Sequence, residues 1–203
     1  MKRKIGFYLL LGGILSLAFV KKDDKQIHVV IDAGHGGIDR GALHEEVAEK
    51  DIVDAITTKI KLQNKDADVV LHFTRIGDEF VALSDRTAKI NEIKPDLVLS
   101  LHVSSNALSA ASGFEVFVAK EGEHKTKSLA MAKKLSEKFK RNQGFKLRGV
   151  KEAPFYILKN SQAPAIVVEL GFLSNPDDRK VLTDDAQQAA IASTILEFAG
   201  ELK

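Results

Sequence analysis

The chain has 203 residues, 44% hydrophobic and 29% charged, which is the composition of one ordinary globular domain. It has no cysteine, so disulfides, thiolate catalysis and cysteine zinc sites are all excluded. Without residues 1–18, the 30 basic residues fall to 27 against 28 acidic ones, a net charge of −1 that argues against nucleic acid as the main partner.

The N-terminus resembles an export signal. Three basic residues lie within Met1–Lys4, and an uncharged, mostly apolar run of 16 residues, Ile5–Val20, follows them. Ser16 and Ala18 are small residues at the two positions that a signal peptidase reads, and the run is short for a full membrane span. We therefore expect a signal peptide or N-terminal anchor over residues 1–20, a charged linker over 21–26, and export to the periplasm or cell envelope.

Strand-like and helix-like patterns alternate from residue 27 onward. The strand candidates are Ile27–Asp32, Val69–Phe73, Leu97–Leu101, Phe114–Val118, Phe155–Leu158 and Ile166–Leu170. The helix candidates are Lys50–Gln63, a segment capped by Ser84, Ser128–Gln143, a segment starting at Asn175-Pro176, and Asp185–Leu202. This alternation predicts a single α/β domain with a mainly parallel sheet flanked by helices. The passage from Leu101 to Phe114 is too short for a crossover helix, so we expect a mixed sheet with one antiparallel or edge pairing.

Three of the predicted strands end in polar residues that can carry chemistry. The first ends at Asp32 and leads into a glycine-rich turn that contains His35, the third leads to His102, and the sixth leads to Glu169 inside an apolar run. If these strands run parallel, the three side chains share the carboxyl edge of the sheet, where α/β proteins bind ligands. An unpaired buried carboxylate costs several kcal/mol, roughly, so Glu169 is either paired or kept for chemistry.

Two histidines in a chain without cysteine suggest a zinc site with a third ligand and one open position. Glu45, Glu46 and Glu49 lie in the loop after the glycine turn, and Glu49 is the best candidate because it directly precedes a helix that sets the direction of the chain. The other histidines remain alternatives: His28 and His72, which lie within strand patterns and are expected to be packing or edge residues, and His44 and His124, which lie in loops.

A family resemblance is carried by four stretches, which are Ile31–Gly37, Glu49–Asp51, Ser100–His102 and Val168–Asn175. In order and spacing they resemble the zinc-dependent N-acetylmuramoyl-L-alanine amidases of the type-3 amidase family. Further positions resemble that family as well, namely Thr74-Arg75, Leu83, Arg86, Asn91 and Arg148–Lys151. The resemblance extends from Ile27 to the C-terminus.

The resemblance implies a six-stranded mixed sheet, a Zn²⁺ ion bound by His35, Glu49 and His102, and Glu169 as the catalytic residue. It implies that residues 27–203 are a zinc amidase catalytic domain, whose partner is peptidoglycan. The reaction is hydrolysis of the amide between N-acetylmuramic acid and L-alanine of the stem peptide by a zinc-activated water. Two alternatives stay open: another zinc peptidase that acts on stem peptides, which would share the ligand set, and a non-catalytic wall-binding module, which would lack one of the four chemical residues.

Some members of this family carry an extra helix after the fourth strand that covers the zinc until an activator displaces it. Here only the nine residues Ala119–Lys127 separate the fourth predicted strand from the next helical pattern. A covering helix of three turns needs about 11–12 residues. We therefore expect an open site without an autoinhibitory helix.

Overall fold

A computed structural model describes residues 26–143 and 146–203 of the chain, so the predicted leader and nearly all of the linker lie outside the described residues. The strands are β1 (Ile27–Ala33), β2 (Leu43–His44), β3 (Val47–Ala48), β4 (Val69–Phe73), β5 (Leu97–Ser104), β6 (Phe114–Val118), β7 (Leu147–Glu152) and β8 (Ala165–Phe172). The helices are α1 (Glu49–Gln63), α2 (Leu83–Ile93), α3 (Lys125–Gln143), α4 (Tyr156–Asn160), α5 (Pro176–Thr183) and α6 (Asp185–Gly200).

The main sheet has six strands in the order β4-β1-β5-β8-β6-β7. The first four are mutually parallel, β6 pairs antiparallel with β8, and β7 is parallel to β6. The predicted mixed, mainly parallel sheet is therefore confirmed. Its antiparallel pairing involves β6, the strand that follows the helix-free passage, because that passage is too short to carry the chain back to the other end of the sheet.

Helices cover both faces of the sheet. On one face, α1 buries an isoleucine stripe, Ile52, Ile56 and Ile60, in the core that also receives side chains from α3 and α6. On the other face, Ile90 of α2 and Ile157 and Leu158 of α4 pack with Val98 and Val167 of the sheet. The second cluster is smaller, and the carboxyl edge of the sheet stays accessible from this face.

The prediction of a strand over Phe155–Leu158 is wrong, because Tyr156–Asn160 forms the short helix α4. Ile157 and Leu158 are both buried although they are consecutive, which a strand with one face on the core would not allow. The sheet strand that the sequence did not predict is β7, Leu147–Glu152, at the edge of the sheet. Its apolar residues Leu147 and Val150 pack against the core, but they are three positions apart because the register with β6 shifts, so the sequence lacks the alternation of a regular strand.

The remaining differences are at helix ends. The prediction that Ser84 caps a helix is wrong: α2 begins at Leu83, its N-cap position is Ala82, and no side chain caps it. Helix α3 begins at Lys125, three residues earlier than predicted. The predicted start at Asn175-Pro176 is confirmed, since the Asn175 side chain accepts hydrogen bonds from the Asp177 and Asp178 amides. Within residues 26–143 and 146–203, the helices are all too short or too polar to cross a bilayer.

Candidate metal centre and active site

Three neighbouring parallel strands bring the predicted chemical residues to one edge of the sheet. In the register of β1 and β5, Asp32 lies opposite Ser100, and in that of β5 and β8, His102 lies opposite Glu169. His35 follows the end of β1, so it reaches the same edge. The convergence predicted from the sequence is thus confirmed, and it follows from the parallel order β1-β5-β8.

His35 lies in a turn of left-handed backbone. Its backbone angle φ is 58°, a value that residues other than glycine seldom adopt. Gly36 and Gly37 follow with φ of 122° and 58°. Two buried arginines donate hydrogen bonds to the backbone carbonyls of this turn. Arg75 donates to the carbonyls of residues 33 and 34, and Arg86 donates to those of residues 33 and 35. The strained conformation is therefore fixed before any ligand binds.

Two further glycines leave room for the candidate ligands. A Cβ at Gly34 would collide with the His102 ring, and a Cβ at Gly41 would collide with the Glu49 carboxylate and the His35 ring. Gly41 also has a φ of 63°. The glycine-rich sequence around His35 therefore allows close approach of the backbone to the three side chains.

His35, Glu49 and His102 present one donor atom each within 4.8 Å of one another. Glu49 lies between the two imidazoles: its Oε2 is 3.1 Å from His35 Nε2, and its Oε1 is 2.9 Å from His102 Nδ1. The carboxylate is buried and also accepts hydrogen bonds from the amides of Ala42 and Val103. Asp39 Oδ2 lies 2.8 Å from His35 Nδ1, which orients that ring in the manner of the outer carboxylates of metal sites.

The electrostatics of this group favour a bound cation. The hydrogen bond to Glu49 and the nearby Asp39 raise the pKa of His35 to about 9, despite partial burial. Burial would raise the pKa of Glu49, but its bonds to His102 and His35 lower it to about 2. Burial would likewise lower the pKa of His102, and Glu49 raises it instead. A positive charge between these groups is stabilised, and two imidazoles with one carboxylate are a donor set that zinc accepts.

The other candidate ligands do not join this group. Glu45 and Glu46 are exposed at the turn between β2 and β3. His28 and His72 lie on neighbouring strands, with Nδ1 and Nε2 3.0 Å apart and rings stacked, as expected for packing residues at the edge. Neither His44 nor His124 belongs to a cluster of three potential ligands within the described part of the chain.

Glu169 lies beside the three candidate ligands but is not one of them. Its Oε2 is buried and makes no hydrogen bond within the described residues. Burial raises the pKa of Glu169 to about 7; the nearby His102 opposes the shift, and the Glu49 and Glu115 carboxylates add to it. A carboxyl group that titrates near neutral pH and has a free buried oxygen is suited to accept and return a proton.

A buried network below the site was not foreseen from the sequence. Asp32 Oδ1 accepts from Thr74 Oγ1 at 2.6 Å and from Arg86 Nη1 at 2.8 Å, and its Oδ2 accepts from Ser100 Oγ at 2.6 Å. The three partners lie 42–68 residues from Asp32 in the chain, so no local pattern predicts these contacts. Only the family resemblance at Thr74 and Arg86 pointed to two of the partners. The network ties β1, β4, β5 and α2 together directly under the His35 turn.

A cavity of about 760 Å³ opens above these residues. His35, His102 and Glu169 line its polar side, and Phe80, Phe155 and Tyr156 line an apolar side that belongs to the segments around α2 and α4. The three aromatic residues are 39–54% exposed, so they form the rim of the opening. The cavity accepts a ligand of considerable size, with apolar surface next to the candidate metal centre.

Comparison with known proteins identifies the family. The family model of the N-acetylmuramoyl-L-alanine amidases (Amidase_3) matches residues 29–199. The uncharacterised protein YqiI of Bacillus subtilis (strain 168) is 36% identical over 170 residues, which cover 83% of this chain and 81% of YqiI. The N-acetylmuramoyl-L-alanine amidase LytC of the same organism is 30% identical over 172 residues, which cover 82% of this chain and 34% of LytC.

The fold agrees with this assignment. The catalytic domain of CwlV, an N-acetylmuramoyl-L-alanine amidase from Bacillus (Paenibacillus) polymyxa var. colistinus, superimposes with a TM-score of 0.80 at 28% identity, over 87% of this chain and 98% of that domain. The predicted family is thereby confirmed. A family model that spans most of the chain, relatives at 30% identity or more and a matching catalytic domain show that this protein belongs to the N-acetylmuramoyl-L-alanine amidase family and is a peptidoglycan amidase.

Proposed function

We propose that this amidase depends on one Zn²⁺ ion held by His35, Glu49 and His102, and that Glu169 is its catalytic base. The bond cleaved is the amide between N-acetylmuramic acid and L-alanine of the stem peptide. The observation that carries the proposal is the group of three donor atoms within 4.8 Å, with the buried Glu169 on the adjacent strand. Residues 27–203 then constitute the catalytic domain.

The donor set suits the chemistry that zinc supplies when it is bound by three protein groups, namely activation of a water molecule and polarisation of a carbonyl. Glu49 contributes the single negative charge and is held by two backbone amides, so its position does not depend on the metal. Asp39 accepts from His35 Nδ1, which leaves Nε2 facing Glu49 and the centre of the group. His102 is held by the strand that carries it.

Glu169 performs the proton transfers in this proposal. Its carboxylate accepts a proton from the attacking water and delivers it to the nitrogen of the leaving L-alanine. A carboxyl with a pKa of about 7 gives up and takes up a proton at similar cost near neutral pH.

The test uses purified peptidoglycan sacculi and the zinc-loaded protein. We expect release of intact stem peptides that begin with L-alanine, with the glycan strands left whole, and a zinc content of one ion per chain. In Glu49→Ala protein we expect both zinc content and peptide release to be lost. Shortened peptides with the muramoyl–alanine bond intact would indicate a different zinc peptidase instead, and full zinc occupancy of the Glu49→Ala protein would contradict the ligand assignment.

We also propose that the protein acts outside the cytoplasm, at the periplasm or cell envelope. The support is the basic and apolar N-terminal sequence together with a substrate that lies in the cell wall. The segment that would direct export, residues 1–20, is known from its sequence alone.

A further inference from the structure

We propose that Lys151 and Arg148 form a binding site for a carboxylate of the stem peptide, on the side of Glu169 where β7 lies. This inference rests on the proposed function, because it assigns the direction in which a muramyl peptide crosses the site. The peptide would extend toward β7, and the sugar would remain on the side of the zinc ligands and the aromatic rim. Neither cation takes part in the proposed metal binding or proton transfer.

The two cations are positioned by a carboxylate that neighbours the catalytic residue. In the antiparallel pairing of β6 and β8, Glu115 lies directly opposite Glu169. Directly opposed residues point to the same face of a sheet, with Cβ atoms about 4.5–5.5 Å apart. Glu115 is buried, and its Oε1 accepts hydrogen bonds from both Arg148 Nε and Lys151 Nζ, the latter at 2.7 Å.

An irregularity in β7 brings both cations to this face. Arg148 and Lys151 are three residues apart, so in a regular strand their side chains would point to opposite faces. The register of β6 and β7 shifts by one residue at this point, with Phe114 opposite Leu147 but Glu115 opposite Gly149. Such a bulge re-aims a side chain, and it allows Arg148 to reach the same carboxylate oxygen as Lys151.

The cluster retains positive charge and open space. Two cations share one carboxylate, so the three side chains carry a net charge of +1. The side chain of Lys151 is 45% exposed and that of Arg148 is 32% exposed. At Gly149, the residue that follows Arg148, an added Cβ would meet no atom within 4 Å, so the backbone here is not covered by other parts of the protein. The guanidinium of Arg148 lies 5.0 Å from the centre of the Phe172 ring, which orients its planar donors. These are the features of a site for a small anion that arrives from solvent.

The carboxylates of the stem peptide have the charge that this site requires, and they lie at the right distance from the cleaved bond. The amino-sugar backbone of the glycan is uncharged, whereas the peptide carries free carboxylates beyond its first L-alanine. The site is two strands away from Glu169, about 10 Å at the usual strand spacing. An extended chain covers that distance in about three residues, and the lysine side chain shortens it. A carboxylate on the second or third residue of the peptide is therefore within reach.

A purely structural role for the two cations gives a different expectation. If they only neutralise the buried Glu115, replacing one of them weakens the protein but does not distinguish between substrates. If they bind a substrate carboxylate, the loss depends on whether the substrate carries that charge. The two roles are therefore separated by a pair of substrates that differ in one group.

The experiment compares two synthetic muramyl tripeptides that both end in L-lysine amide and so carry no carboxylate on the third residue. They differ only at the α-carboxyl of the second residue, D-glutamate, which is free in one and a primary amide in the other. The zinc-loaded full chain is assayed as wild type, Lys151→Gln and Lys125→Gln. Lys125 is the matched control, because it also forms an ion pair of 2.7 Å, with Glu152, and its side chain is 34% exposed. We expect wild type and the control to prefer the free carboxylate about tenfold in kcat/KM, the usual effect of a hydrogen bond to a charged group.

In Lys151→Gln protein we expect this preference to disappear through a higher KM for the carboxylate substrate alone, with kcat retained. Equal losses on both substrates, or no preference in the wild type, would overturn the proposal. A parallel calorimetric titration of the wild type with the two released tripeptides should show the same difference in affinity. Failure of the wild type to hydrolyse either substrate would count against the proposed function, while equal binding of the two released tripeptides would count against the carboxylate site.

Discussion

At the scale of single residues, Glu169 is distinguished by what its side chain lacks. Its buried Oε2 makes no hydrogen bond within the described residues, whereas each oxygen of Glu49 has two nitrogen partners. Buried polar atoms in proteins are nearly always paired, so an unpaired one next to a candidate metal centre indicates a functional reason for the exception. Under the proposed function, the surroundings of the two carboxylates assign Glu49 as the fixed ligand and Glu169 as the proton carrier.

The Glu169→Gln substitution keeps the shape of this side chain and removes its ability to accept a proton. We expect turnover to fall by roughly 10²–10⁴ while zinc content stays unchanged, because the group acts on the proton and not on the metal. Glu152→Gln is the matched control, since Glu152 is an exposed glutamate whose partner is Lys125. Peptide release and metal analysis of the three proteins measure both effects. Near-normal turnover of the Glu169→Gln protein would remove its catalytic role.

Asp32 is the second residue with a specific prediction. Burial alone would raise its pKa, but the charge of Arg86 and the hydrogen bonds from Ser100 and Thr74 lower it below 3.8. Because the folded state holds this pKa below its value in the unfolded chain, the stabilisation is present above about pH 4 and is lost as the pH falls further. Removing one partner of a buried ion pair costs about 3–5 kcal/mol.

We therefore expect Asp32→Asn to lower the free energy of unfolding by several kcal/mol, roughly, at pH 7, and by about 1 kcal/mol less at pH 3, where the carboxyl of the unfolded chain is mostly protonated. Urea unfolding at the two pH values measures the difference. The control is Asp185→Asn, because that carboxylate is 91% exposed and pairs with Lys59 at the surface. Similar pH profiles for Asp32→Asn and the wild type would show that the ion pair does not account for acid sensitivity.

At the scale of elements, two helix starts were predicted from a capping side chain, and only one of the two predictions is confirmed. Asn175 and Ser84 are both residue types that commonly cap helices, yet only Asn175 does so here. Its Oδ1 lies 3.0 Å from the amides of Asp177 and Asp178, and its Nδ2 donates to the Ser109 carbonyl at 2.8 Å. Ser84 already lies inside α2.

This contrast predicts unequal effects of the same substitution. Asn175→Ala should destabilise the protein by about 1 kcal/mol or more, because two helix amides and a loop carbonyl lose their partner. Ser84→Ala should change the free energy of unfolding by less than about 0.5 kcal/mol, since alanine is the better residue within a helix. Denaturant unfolding of the two variants, side by side, measures both values. Equal destabilisation would show that Ser84 contributes to the helix start after all.

At the scale of the whole molecule, the connection between β6 and α3 bears on regulation. It comprises residues 119–124, because α3 begins at Lys125. A three-turn helix of about 11–12 residues does not fit in this connection. We therefore expect the purified, zinc-loaded protein to release stem peptides from sacculi without any partner. If it is inactive until a second protein is added, the expectation of an open site is wrong.

Export is the second prediction for the whole molecule. A reporter that is active only outside the cytoplasm, fused after Lys22, should be active, because the basic start and apolar run have the order of a signal sequence. Deletion of Lys2–Val20 should abolish that activity. The matched control is a fusion of equal length in which the apolar run is kept intact and only Lys21 and Lys22 are replaced by glutamine. An inactive reporter with the intact leader, although the fusion protein is present in the cells, would contradict the predicted localisation.

Much of the fold could be predicted because local sequence patterns encode which face of an element is buried. Continuous apolar runs identified five of the six sheet strands, and the isoleucine repeat identified α1. Strand β7 was missed because its apolar residues Leu147 and Val150 are three positions apart across a bulge, which is not the alternation of a regular strand. Helix α4 was mistaken for a strand because a run of four residues fits both periods. The parallel order of β1, β5 and β8 then brings His35, His102 and Glu169 together, which the sequence by itself was enough to anticipate.

Tertiary structure alone decided the contacts that depend on distant segments. Glu49, rather than Glu45 or Glu46, reaches the two histidines because the β2–β3 turn reverses the chain before α1 begins. Asp32 meets Ser100, and Lys151 meets Glu115, only through the pairing of strands that lie far apart in the sequence, and Arg86 reaches Asp32 from helix α2. The periodicity of apolar residues in the sequence determines which face of a helix or strand is buried. Which side chains meet across those faces depends on strand register and helix packing, and both are properties of the folded chain.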